Sequence, residues 1–404
     1  MHFFPILSTL RRHRTAAGLI VLEIALTCAI VCNAIFLIRD RVTRMDRPSG
    51  VAEDGLVRVR LAGIGTQSDA ESLTAQDLVA LRAIPGVRFA AATNMVPFGD
   101  SSWNSDVSTK YDDINGSSAG IYMGTADLIE ALGVQLIAGR DFLPDEYVEF
   151  EASQANKVHI PSVIITRGLA EHWFPGQSAV GKSFYVASKE PQTIVGVIDL
   201  LARPSRHTGE AARYAVILPI RSTYTIGGNY ILRTDPSRKA EVLAAVEATL
   251  NKVSPNRVIL DRQTFGEIRQ KFFRADRAMA YLLVGVSLAL LIVTALGVVG
   301  LASFWVQQRT RQIGVRRALG ATRGDILRYF QMENFILASL GIVLGMAMAY
   351  GINLWLMHKY QVERLPAGFL PVGAGLLWML GQIAVLGPAL RASLIPPAIA
   401  TRTV

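Results

Sequence analysis

Charge is scarce in this chain: Asp, Glu, Lys and Arg make up 18% of its 404 residues, where soluble domains carry about 25%. Cysteine is nearly missing. Cys28 and Cys32 stand one helical turn apart in an apolar run, where a single helix cannot bring their Cα atoms into disulfide geometry. Disulfides therefore drop out of the account, and the pair reads as small apolar packing residues. Histidine is equally thin. His159, His172 and His207 are scattered, and no nucleophile–base pair or metal-ligand spacing stands out, so neither a catalytic nor a metal site is read. Acidic residues are missing from particular places. The segments 1–14, 307–328 and 391–404 hold Arg11, Arg12, Arg14, Arg309, Arg311, Arg316, Arg317, Arg323, Arg328, Arg391 and Arg402 against the single acid Asp325.

What is abundant is apolar residues, 51% of the chain, with a mean hydropathy of +0.32. A membrane span needs roughly 20 consecutive apolar residues, and four stretches qualify: 15–38, 280–306, 329–357 and 369–390. The last is interrupted by Gly and Pro, which spanning helices tolerate where neighbours cover the freed backbone. The first follows a basic start but is too long for a signal-peptide core and ends without a cleavage site, so it reads as a retained anchor. The net charge of +9 is accounted for by the acid-poor segments. That is a positive-inside signature, not a nucleic-acid-binding face. It places 1–14, 307–328 and 391–404 in the cytoplasm, 39–275 outside the membrane, and 358–368 as a short outer loop.

The fold class expected is a membrane protein of four transmembrane α-helices, one N-terminal and three C-terminal. A large two-part α/β extracytoplasmic domain is inserted between the first and second. Strand-like 55–64, a helix opening at a Thr74 cap and ending at Pro85–Gly86, and strand-like 87–96 form one β-α-β unit. Residues 229–235, 236–255 and 256–263 form another. A different subdomain, about 98–213, lies between them. From Gly266 to Gly285 no Gly or Pro intervenes, so a continuous stalk helix is expected to run into the second span at 276–306.

Residues 176–183 match the phosphate-cradling pattern G-x-x-x-x-G-K-[ST]. That loop works when a strand precedes it and a helix follows, so that the helix N-terminus holds the phosphates. Here a helix precedes and an alternating, strand-like segment follows. The stretch reads as a solvated turn in which Gly181 supplies φ > 0, and no nucleotide site is expected.

Residues 307–351 carry a pattern that resembles the FtsX-like permease family, in particular permeases built like the macrolide exporter MacB. The family run R-T-R-x-I-G-x-R-R-A-x-G-A-T-x-x-x-I is met at Arg309, Thr310, Arg311, Ile313, Gly314, Arg316, Arg317, Ala318, Gly320, Ala321, Thr322 and Ile326, followed by Glu333, Gly341 and Gly345. The one-plus-three order of spans fits the same family. So does the turn at 174–182, although Ala179 stands where the family has a second proline. The C-terminal tail is a loose version of the family's ending.

The resemblance implies a non-catalytic permease that transmits ATP-driven motion of an ATPase to its outer domain. Because no nucleotide-binding domain precedes the first span, that ATPase is expected to be a separate subunit, which would bind ATP and Mg; no cofactor is expected in this chain. A second permease is implied, as homodimer or paralogous heterodimer, in a bacterial inner membrane, with a periplasmic adaptor as a further candidate partner. Alternatives within the resemblance are a lipoprotein-releasing permease and an FtsX-like regulator of a periplasmic enzyme.

Candidate ATPase-coupling residues are Arg309, Arg311, Ile313, Val315, Arg316, Arg317, Leu319 and Gly320, on an amphipathic helix at roughly 308–319. Ile313, Val315, Ala318 and Leu319 form its apolar stripe, and Gly320 its C′ residue. Glu23 in the first span is costly, on the order of 2.5–3.5 kcal/mol on the insertion scale. It serves either an inter-span or inter-subunit hydrogen bond or a snorkel toward the interface. Glu333 is placed to meet the arginines of the loop. Gly341 and Gly345 form a small-x-x-x-small pair, with Gly297 and Gly300 in the second span. They pack either within the chain or against a second permease.

Overall fold

The computed structural model describes residues 14–64, 69–111, 113, 116–150, 159–186, 188–205, 209–360 and 366–396. Arg11, Arg12, Arg402, His207 and most of the C-terminal tail lie outside them. The chain divides into a helical unit, 1–45 with 275–404, and an α/β unit, 46–274.

Four helices are long and apolar enough to span a membrane. They are α1 (Arg14–Met45), α7 (Arg274–Gln308), α9 (Arg323–Tyr360) and α10 (Phe369–Ser393). At about 1.5 Å per residue, α1, α7 and α9 are each longer than the hydrocarbon core requires. The chain is thus a multi-pass membrane protein with one N-terminal and three C-terminal spans, and an α/β domain between the first and second. Helix α1 is the most enclosed. Ile20, Ile24, Cys28 and Cys32 follow an i, i+4 row into a core shared with Leu337, Ile342, Ala374 and Leu377. The two sulfurs lie 3.9 Å apart as free thiols. Pro388 lies inside α10 without ending it.

The α/β unit holds two sheets. The first has the order β13–β1–β12–β2, built from β1 (Leu56–Gly63), β2 (Val87–Thr93), β12 (Asn229–Thr234) and β13 (Arg257–Thr264), all neighbours antiparallel. With α2 (Ala70–Arg82) and α5 (Lys239–Val253) this is a split β-α-β arrangement, made from the two β-α-β units at the edges of the domain. Leu78 and Leu81 of α2 and Val242, Val246 and Leu250 of α5 bury against Val57, Val59 and Leu232. Under them lies a buried polar knot. Asp77 accepts from Tyr230 Oη at 2.6 Å and from Arg257 Nη2 at 2.8 Å, and Arg257 lies over the Tyr224 ring.

The second sheet has seven strands in the order β5–β9–β7–β10–β4–β3–β8: β3 (Asn104–Ser108), β4 (Ser117–Met123), β5 (Leu136–Gly139), β7 (Ser162–Thr166), β8 (Ser183–Val186), β9 (Gln192–Ile198) and β10 (Ala215–Leu218). Strand β8 pairs with both β3 and β9, so the sheet closes on itself around Val163, Ile165, Phe184, Ile194 and Val216. Two short strands, β6 (Val148–Glu149) and β11 (Ile220–Arg221), pair beside it. The two sheets are stitched by Asn94, which donates to Ile121 O and accepts from Met123 N. Arg233 adds to the seam, donating to Ala131 O and Leu132 O at the end of α3 (Leu128–Leu132).

Two sequence expectations fail. Thr74 does not cap α2, which begins at Ala70; its hydroxyl donates back to Ala70 O inside the helix. The stalk helix is not continuous, because α6 (Phe265–Phe272) ends at Phe273 and α7 restarts at Arg274. Phe273 is buried edge-on against Phe98 and Phe272. Adjacent positions of an unbroken helix point about 100° apart; the interruption lets both rings reach Phe98. Arg47 and Arg269 lie over Phe98 at 5.0 and 5.2 Å. Phe98 itself sits at φ +59, in the left-handed region that side chains rarely adopt.

Candidate functional site

The basic stretch after α7 forms α8 (Thr310–Ala318), close to the helix expected at 308–319. Its end is a Schellman turn: Gly320 at φ +99 donates to Arg317 O, and Ala321 N donates to Arg316 O. Thr322 and Asp325 then cap α9 reciprocally, each side chain accepting from the other's backbone N–H. Much of the motif therefore encodes a helix stop and a helix start two residues apart.

The helix divides the candidate coupling residues into two faces. Arg309, Ile313 and Arg317, spaced by four, turn inward. Arg309, 7% exposed, places Nη1 3.0 and 2.9 Å from the two carboxylate oxygens of Glu333, itself 1% exposed. Ile313 packs with Val298, Val306, Ile326, Phe330 and Ala389. Arg317 donates to Ser393 O and Ile395 O past the end of α10. These three bind α8 to α9 and α10 of its own chain. The reading of Ile313 as part of an outward apolar stripe is thereby corrected: its side chain is core. Arg311, Val315, Arg316 and Leu319 face outward, Leu319 being 83% exposed. Arg316 lies 4.9 Å over the Tyr329 ring.

Deeper in the helical unit the small residues are used as close contacts. A Cβ on Gly341 would meet Ile24 at 2.8 Å, and one on Gly345 would meet Cys28 at 2.5 Å, so this pair lies against α1. Gly373 does the same for Cys32. Glu23 lies against Gly297 of α7, whose missing Cβ leaves room for the carboxylate. One turn on, Thr27 and Thr294 hydrogen-bond at 2.8 Å. Gly300 has nothing within 4 Å of a Cβ among the described residues. Next to Glu333, a small cavity is lined by Ile20, Trp305, Glu333, Asn334 and Val385 among others. Sequence reasoning missed Trp305, Asn334 and Tyr329. Trp305 stands four residues before Arg309, and this helical spacing was the available signal.

The loop 176–183 runs from α4 (Arg167–Trp173) into β8, the reverse of the strand–loop–helix order a phosphate cradle uses. Gly176 and Gly181 both have positive φ. Lys182 is held within the turn, donating to Gln177 Oε1 and lying 5.2 Å from the Phe174 ring centre. Among the described residues no group of three or more His, Cys, Asp or Glu is placed to hold a metal.

A four-span helical unit with a basic helix between the second and third spans, and a two-sheet domain inserted after the first, defines a multi-pass membrane protein. The chain belongs to the MacB-like periplasmic core domain family, whose profile matches residues 19–249, and the profile of the FtsX-like permease C-terminal domain matches residues 284–397. Among curated relatives, the macrolide export ATP-binding/permease protein MacB of Rhodospirillum rubrum is 24% identical over 247 residues, 59% of this chain and 38% of that one. The uncharacterized ABC transporter permease YvrN of Bacillus subtilis is 29% identical over 257 residues, 59% of this chain and 61% of that one. The chain thus spans less than two thirds of the length of the relatives it matches. The crystal structure of the periplasmic region of MacB from Actinobacillus actinomycetemcomitans aligns over 57% of this chain and 97% of that one, at 13% identity and a TM-score of 0.31.

Proposed function

We propose that this chain is the membrane permease subunit of an ATP-binding cassette system. Helix α8 takes the push of a separate ATPase, and the spanning helices pass it to the α/β unit for export or extraction of a substrate outside the bilayer. The observation that carries this reading is the division of labour on α8. Its inner row is fastened to α9 and α10, while Arg311, Val315, Arg316 and Leu319 are exposed at its surface. A cationic, partly apolar helix face anchored from behind suits a groove on a partner. The helix–loop–strand order at 176–183 supports leaving ATP and Mg2+ to that partner. The arginine distribution supports an inner-membrane placement with α8 in the cytoplasm and the α/β unit in the periplasm. A second permease copy or paralogue completes the assembly.

The test is co-purification with the ATPase and permease-stimulated ATP turnover. The triple variant Arg311→Glu/Val315→Asp/Leu319→Asp should lose at least tenfold in both, while the chain stays folded in detergent. Wild-type values in both would place the contact elsewhere.

A further inference from the structure

The cavity beside Glu333 lies among all four spanning helices, lined by Ile20 of α1, Trp305 of α7, Glu333 and Asn334 of α9 and Val385 of α10. It is about the size of one water molecule. Trp305 and Asn334 are 4% and 5% exposed, and Trp305 Nε1 and Asn334 Nδ2 have no hydrogen-bond acceptor among the described residues. The residues that carry these two buried donors, and Glu333, all line one small space. Buried donors in native proteins are nearly always paired, and empty cavities that stay dry are apolar ones.

The lining chooses the occupant. A cation is disfavoured by the two N–H groups, and an anion by the Glu333 carboxylate. A lipid chain would leave both donors unpaired. The remaining small species is one that accepts two hydrogen bonds and donates at least one. The geometry points to a structural water held at this site, accepting from Trp305 Nε1–H and Asn334 Nδ2–H and donating to a Glu333 oxygen. Each carboxylate oxygen already accepts from Arg309, but an ionised carboxylate offers about four lone-pair sites. The water ties α7 to α9 next to the ion pair that fastens α8. It gives Arg309 and Glu333 a further polar neighbour inside the bundle. The inference stands on the cavity alone and does not depend on the ATPase reading.

The test uses the full chain in lipid nanodiscs. With tryptophan labelled and Trp305→Phe used for assignment, the Trp305 indole proton should show an exchange or cross-relaxation peak with water in solid-state NMR. Independently, Asn334→Leu keeps side-chain size and removes one donor. If that donor is paired with water, Tm falls by about 2–4 °C, the shift expected for the loss of one such interaction in a domain of this size. If it is orphaned in a dry site, removing it leaves Tm unchanged or raises it. Either the missing water peak or the unchanged or raised Tm overturns the proposal. Should Asn334→Leu fail to fold, the measurement on the wild-type chain decides.

Discussion

At the scale of single residues, the α/β unit encloses the charge of Asp77 completely. Asp77 is 0% exposed and meets Arg257 and Tyr230. Burial first, and the Asp77 carboxylate next, push the Tyr230 hydroxyl's pKa well up, so it remains a neutral donor. Such a pair adds little net stability, but breaking it strands the partner's charge at about 3–5 kcal/mol. Asp77→Ala should therefore lower the unfolding free energy by about that amount, measured by denaturant titration followed by near-UV circular dichroism. A loss under about 1 kcal/mol would mean that Arg257 finds another acceptor. Asp100 gives a pH signature of definite sign. Burial opposes its ionisation, but the hydrogen bond from Lys271 and the charges of Arg58, Lys271 and Arg60 outweigh it and hold its pKa below the usual value. A carboxyl depressed on folding contributes stability that is fully present above its unfolded pKa, about 3.9. The contribution is lost as pH falls through the lower folded value. Asp100→Asn should shallow the acid limb of the Tm–pH curve; an unchanged limb would remove the ion cluster from the account.

At the scale of elements, the glycines of the spanning helices do not share one job. Gly345 leaves room for Cys28 and Ala25 of α1, whereas Gly300 faces open space. Gly345→Leu should overpack the α1–α9 contact and destabilise by about 1–3 kcal/mol or more, while Gly300→Leu leaves the Tm of the single chain unchanged. If Gly300→Leu instead alters the oligomeric state with the fold intact, a second copy packs at Gly300. The sequence made the spans legible through sheer length of apolar runs. It also exposed the two β-α-β units through their repeated strand–helix–strand order, and the turn at 176–183 through the helix before it. It could not sort Arg309 and Arg317 from Arg311 and Arg316, because their partners lie elsewhere in the chain: Glu333 is 24 residues on, and the carbonyls of Ser393 and Ile395 lie 76 and 78 residues on. Nor could it place the interruption at Phe273. That residue's ring finds Phe98 across most of the α/β unit's sequence, and no local propensity reports it. Thr74 misled for a related reason: a Thr inside a helix can satisfy its hydroxyl on the i−4 carbonyl as readily as it caps a first turn.

At the scale of the whole molecule, the proposed transmission requires that α8 move with α9 and α10 as one piece, and the Arg309–Glu333 pair is the tie that can be reversed chemically. Both groups are nearly inaccessible. Arg309→Glu alone would set two carboxylates against each other, and Glu333→Arg alone two guanidinium groups. Each single change leaves uncompensated charge in an apolar surround, at about 3–5 kcal/mol. The double variant Arg309→Glu/Glu333→Arg restores opposite charges at the same two positions. It should recover most of the folded yield and Tm lost by either single change, as expected for residues that interact directly. Recovery will be incomplete, because Arg309 also lies 5.6 Å over the Trp305 ring, a contact that a glutamate cannot make. ATPase-stimulated turnover measured beside Tm separates two roles. If the pair serves only to hold the fold, turnover follows Tm through all three variants. If it also fixes the angle at which α8 meets its partner, the double variant regains Tm while turnover stays several-fold below wild type, since the longer arm now extends from α9 instead of α8. Additive losses in the double variant would show that the two side chains do not act on each other and would remove this tie from the transmission route.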